Sequence, residues 1–81
     1  MRWNRVAETT LPDGKWISTV QLGVPHHGGS FETMVFPKAG EWGELDCNRY
    51  YSEEQAKTGH EAMVAKWTAR IGAPVEPTEA A

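Results

Sequence analysis

The sequence predicts an α+β domain: a three- to four-stranded antiparallel meander sheet with one C-terminal amphipathic helix packed on one face. Three observations carry this. Short runs rich in β-branched and aromatic residues, separated by Gly- and Pro-bearing segments, fill the chain up to Tyr51. Beyond Tyr51 the apolar residues switch to three- and four-residue steps, from Ala56 to Ile71. A length of 81 residues suits one two-layer domain. That domain is expected over residues 1–72, with residues 73–81, rich in Pro, Glu and Ala, as a disordered tail.

Each element has a local cause. Residues 2–9, with Trp3, Val6 and Thr9, alternate weakly and predict a first strand. Leu11-Pro12-Asp13-Gly14-Lys15 predicts a tight turn: Pro presets φ, Asp bonds its own backbone, and Gly accepts a positive φ. Residues 16–22 predict the second strand, with Trp16, Val20 and Leu22 on one face and Thr19 and Gln21 on the other; the helix is expected on the apolar face of the sheet, with the other face left to solvent or a partner. Residues 23–30 form a loop. Phe31 to Phe36 predicts the third strand, ended by Pro37, which cannot donate to a ladder. A second glycine loop, residues 38–44, carries Trp42. In the expected fourth strand, residues 45–51, Leu45, Cys47 and Tyr51 alternate against Asp46, Asn48 and Tyr50.

The helix has the clearest signals. Ser52 and Gln55 fit a capping box, Glu53 and Glu54 suit the first turn, and Lys66 and Arg70 suit the last. Ala56, His60, Met63, Val64, Trp67 and Ile71 make one apolar stripe. Gly72 and Pro74 stop it. Gly59 in mid-helix costs ~1 kcal/mol against Ala, which predicts a close neighbour there, such as an aromatic from the sheet. His60 beside it is expected to bond a backbone carbonyl or a strand side chain.

Composition narrows the function classes. Four Trp, two Tyr and two Phe are expected to supply the core, since three buried Trp would contribute on the order of 10 kcal/mol before entropy. Cys47 is the single cysteine, so no internal disulfide forms. With no apolar leader and no run near the ~20 residues that span a bilayer, a reducing cytosol is expected and a membrane partner is not. The net charge is −3. Residues 1–40 hold four basic and three acidic side chains, and residues 41–81 hold four and eight. No Lys/Arg cluster of the kind a duplex binder needs is visible, so nucleic acid is not an expected partner. The acidic half better matches a basic protein surface.

Candidate sites follow from residue type and place. His26-His27-Gly28-Gly29-Ser30 exposes consecutive amides that could nest an anion, and with Arg49 and Tyr50 it could hold a small nucleotide; a mobile connection is the plainer reading. His26, His27, Cys47 and His60 could make a metal- or cysteine-dependent site only if the fold gathered them, and no recognised metal spacing is present. No catalytic residue and no cofactor are therefore assigned. Trp42, between Glu41 and Glu44 in a glycine loop, resembles an interface anchor, although it could also fold back onto the sheet. A small sheet also leaves an open face and two edges, so homo-oligomerisation through either is expected.

Trp16-Ile17-Ser18-Thr19-Val20, Phe31-Glu32-Thr33-Met34-Val35-Phe36-Pro37 and the run from Arg49 through Gly59-His60 resemble a group of short tailed-bacteriophage proteins of unassigned activity. The resemblance covers roughly residues 8–70. It implies a phage or prophage protein acting in the host bacterial cytoplasm. By analogy with small acidic accessory proteins, it implies binding to a host or defence protein.

Overall fold

The computed structural model describes residues 4–23, 29–41 and 43–72. Strands β1 (Asn4–Thr10), β2 (Trp16–Gln21), β3 (Phe31–Phe36) and β4 (Asp46–Tyr50) precede one helix, α1 (Glu53–Thr68). The strands pair in sequence order as an antiparallel meander, and α1 packs across all of them. This is the predicted α+β architecture, with the fourth strand present. The expectations for Trp3, His26, His27, Gly28, Trp42 and residues 73–81 lie outside the described residues.

Local chemistry accounts for the joints. In the first turn the Gly14 amide donates to the Leu11 carbonyl at 2.9 Å and the Leu11 amide to the Lys15 carbonyl at 2.8 Å, with Gly14 at φ +98°. Ser52 caps α1 by accepting from the Gln55 amide at 3.1 Å. The Gln55 side chain reaches back, its Oε1 accepting from the Tyr51 amide at 2.9 Å, one residue earlier than a standard capping box. No helix among the described residues is long and apolar enough to cross a membrane.

Two expectations about the core are corrected. The first concerns the tryptophans: Trp16 and Trp67 are only half-buried, although Trp67 packs against the margin of the core. The core is instead built from Leu11, Ile17, Val35 and Met63 at one end and Phe31, Tyr50 and Ala56 at the other. Thr19 and Thr33, both fully buried, lie on the same side. β-branched side chains pack flat on a pleat and pair across strands.

The second concerns which face is covered. The register pairs Ile17 with Val35 and Thr19 with Thr33, and Ile17 and Val35 share a cluster with Met63 of α1. Trp16 and Val20, which begin the more apolar pattern along β2, therefore point away from the helix. In β4 the Tyr50 side chain packs with Ala56 of α1, so Asp46 and Asn48 share the helix face and Cys47 and Arg49 the other. Leu45 and Tyr51, which flank the strand, are left 44% and 72% exposed.

Candidate functional site

The face of the sheet that α1 does not cover is a site assembled from three strands. Trp16 of β2 stacks on Phe36 of β3 with ring centroids 5.5 Å apart and planes at 30°; the two residues are directly paired in the register. The Arg5 guanidinium lies 5.4 Å from the Trp16 ring. The Trp16 indole N–H donates to Glu8 Oε2 at 3.0 Å, and Arg5 and Glu8 also form an ion pair. These contacts fix the indole's orientation from the β1 side. Glu8 consequently holds its carboxyl below the usual value, through the Trp16 and then the Arg5 hydrogen bond.

Around this stack the surface is dished. A depression of about 120 Å³ is lined by Arg5, Trp16, Ser18, Val20, Met34 and Phe36. A second, of about 170 Å³, is lined by Trp16, Phe36, Gly40 and Glu41, so the aromatic pair forms the ridge between them. Ser18 and Val20, which line the first depression, are both buried. Further across, Glu32 is buried and accepts from Arg49 Nε at 3.2 Å and from the Cys47 thiol at 3.5 Å. Burial, and then the Glu32 carboxylate, push the Cys47 thiol above its ordinary value, so the sulfur stays protonated and a weak nucleophile.

The covered face holds a polar network instead of a cleft. Both ring nitrogens of His60 bond strand hydroxyls: Nδ1 to Thr19 Oγ1 at 2.7 Å and Nε2 to Thr9 Oγ1 at 2.8 Å. Thr19 also bonds Thr33. Desolvation lowers the His60 pKa below 6.5, partly opposed by Glu61. Beside it, a Cβ on Gly59 would run into the Tyr50 ring, so the glycine makes room for an aromatic from the sheet. His60 with its strand-hydroxyl partners likewise matches what the sequence predicts.

The residues singled out from the sequence are dispersed. Arg49 and Tyr50 leave β4 on opposite faces, Arg49 toward Glu32 and Tyr50 under α1. Gly29 is packed against the Tyr50 main chain, where a Cβ would clash with the carbonyl, and Ser30 accepts from the Leu22 amide at 2.8 Å as part of the hairpin. Cys47 bonds Glu32 on the uncovered face, whereas His60 is buried beneath α1, so the two form no pair. Among the described residues no three His, Cys, Asp or Glu side chains group as a metal set. Glu41 borders the aromatic ridge, and Glu44 is exposed on the same loop.

Sequence reasoning missed Arg5, Glu8, Trp16, Met34 and Phe36 as one surface. The signal was present in the β-branched Ile17, Thr19, Thr33 and Val35, which claim the helix side and leave the larger residues outside. Comparison with family models, with curated proteins and with solved structures finds no match.

Proposed function

We propose that this chain is a phage or prophage accessory protein that acts in the host bacterial cytoplasm by binding and modulating a host or defence protein, with no catalytic role of its own. The phage origin rests on the sequence resemblance. The binding reading rests on one observation: the Trp16–Phe36 ridge, oriented by Arg5 and Glu8, stands on a sheet face that the chain's only described helix leaves uncovered. Aromatic residues, Trp above all, are enriched at the buried centres of protein interfaces. Glu41 at the rim and Glu44 on the same loop, both exposed, suit a partner that presents an apolar side chain within a basic surface.

The test begins by capturing partners from bacterial lysate on the immobilised protein and purifying the captured protein. Binding is then measured for wild type, Trp16→Ala, Phe36→Ala, Glu41→Lys and, on the far side of the molecule, Lys57→Glu. Loss of either aromatic should weaken affinity by ~10-fold or more. Glu41→Lys should act mainly on the association rate and its salt dependence, and Lys57→Glu should leave binding unchanged. Equal affinity for wild type and both aromatic variants would refute the proposed surface.

A further inference from the structure

Among the described residues β4 is an edge strand, and its hydrogen-bonding direction follows from the register. The Leu22 amide donates to the Ser30 carbonyl, which makes the β2–β3 pairs Val20–Glu32, Ser18–Met34 and Trp16–Phe36 the bonded ones. Phe31, Thr33 and Val35 therefore turn their amides toward β4, where they meet Tyr50, Asn48 and Asp46. The remaining β4 amides, of Cys47 and Arg49, point outward. Consistently, these two donate to side chains of their own strand, Cys47 to Asp46 Oδ1 at 2.9 Å and Arg49 to Asn48 Oδ1 at 3.0 Å.

From this edge we infer a self-association site: a second copy of this chain pairs antiparallel with β4 about a two-fold axis through Asn48. A two-fold normal to the sheet keeps both helices on one side and allows only registers that match odd residues with odd. Centred on Asn48, the outward groups of Cys47 meet those of Arg49 in the second copy, giving reciprocal ladder bonds on each side of the axis. Just beyond the strand's two ends, where the Leu45 amide turns inward to the Val35 carbonyl at 2.6 Å and the Tyr51 amide donates to Gln55 Oε1, the same axis brings Leu45 to the same end of the seam as Tyr51 of the second copy. These are the exposed large hydrophobics of the described residues, and both stand three positions from Asn48. Centring on Arg49 would place Arg49 against itself; centring on Cys47 would leave Tyr51 opposite a glycine.

Charge does not oppose the same axis. Glu53 and Glu54 occupy the first turn of α1 and Lys66 the last. The Glu54 and Lys66 ends both border the trough of about 600 Å³ and its neighbour between α1 and β4. The two-fold brings the Glu54 end of one trough beside Lys66 of the other, whose ammonium already pairs with Asp46 at 2.7 Å, so charge adds little across the seam. Gly59 and Ala62, which line both parts of the trough, leave the edge approachable. The pairing joins two four-stranded sheets into one and leaves both aromatic ridges on its opposite side. It does not depend on what those ridges bind. A five-residue edge gives a small interface, and each new ladder bond replaces a bond to Asp46 or Asn48, so the dimer is expected to be weak, with Kd on the order of 10–100 µM.

Sedimentation equilibrium of the full chain under reducing conditions, from ~10 µM to ~1 mM, should show a monomer–dimer equilibrium. Cys47→Pro removes one outward amide from the edge, and Leu45→Lys/Tyr51→Lys places like charges across the seam; each should shift the equilibrium to monomer. If Cys47→Pro fails to fold, the lysine pair decides. For the register, Leu45→Cys and Tyr51→Cys chains, both also carrying Cys47→Ser, are mixed and oxidised. Cross-links between position 45 and position 51 should exceed 45–45 and 51–51 links. A wild type that stays monomeric at ~1 mM, a dimer unaffected by the lysine pair, or dominant like-with-like cross-links would each overturn the inference.

Discussion

His60 ties α1 to two strands through both ring nitrogens, and its burial sets the sign of a pH effect. In the unfolded chain it titrates near 6.5, and in the fold lower, because desolvation disfavours the cation. Between those values the unfolded chain holds the extra proton. Stability is therefore full above about pH 6.5 and declines as pH falls through that window. His60→Gln should remove that part of the decline, seen in urea midpoints measured at successive pH values. His60→Ala should cost ~2–4 kcal/mol, because it opens a cavity and leaves the Thr9 and Thr19 hydroxyls short of a partner. Tyr50 gives the converse case. Its hydroxyl is buried with no hydrogen-bond partner among the described residues, so Tyr50→Phe should be neutral or stabilising in the same assay. A loss above ~1 kcal/mol would mean that the hydroxyl has a partner after all.

At the scale of elements, the helix was the most legible part of the sequence, because capping, charge placement and the 3.6-residue period all bear on one segment. Ser52→Ala should cost ~1 kcal/mol of stability through the lost cap. Gly59→Ala should also destabilise, by ~1–3 kcal/mol, despite the better helix propensity, since the new Cβ meets the Tyr50 ring. In a Tyr50→Leu background the same change should become milder, and a double-mutant cycle reads that coupling. The strands were legible as strands but not in their facing. A period of two says which residues share a face without saying which face is covered. Trp16 and Val20 looked like the inner face of β2 because they are the larger apolar residues. The decision came from Ile17 and Thr19, whose cross-strand partners Val35 and Thr33 are also β-branched. That pairing depends on register, which a linear pattern does not contain.

For the whole molecule, the consequence is a division of labour between the two sides of one sheet. The covered side is closed by aliphatics, threonines and His60. The side away from α1 carries oriented aromatics with a charged rim. The individual residues of that rim were visible in the sequence, but their convergence from β1, β2, β3 and the following loop was not, because it arises only once the meander is folded. Acid should loosen the molecule in two stages. The first is the His60 window, and the second lies below about pH 3.8, where Asp46 protonates. Asp46 is held below that value by Lys66 and then by the Trp67 indole, at 2.7 Å and 3.0 Å. Its contribution is present above the unfolded value and is lost as pH drops through the folded one. Asp46→Asn should reduce the second stage and leave the first.

Hydroxyl-radical footprinting, read residue by residue by mass spectrometry, addresses this division directly, because Met34 and Met63 lie on opposite sides of the same sheet. In the free protein Trp16, Met34 and Phe36 should be modified faster than Met63 and Tyr50. In complex with a purified captured partner, the first three should become protected while the last two stay as they were. Met63 reacting as fast as Met34 in the free protein, or Trp16, Met34 and Phe36 reacting unchanged in the complex, would contradict the account.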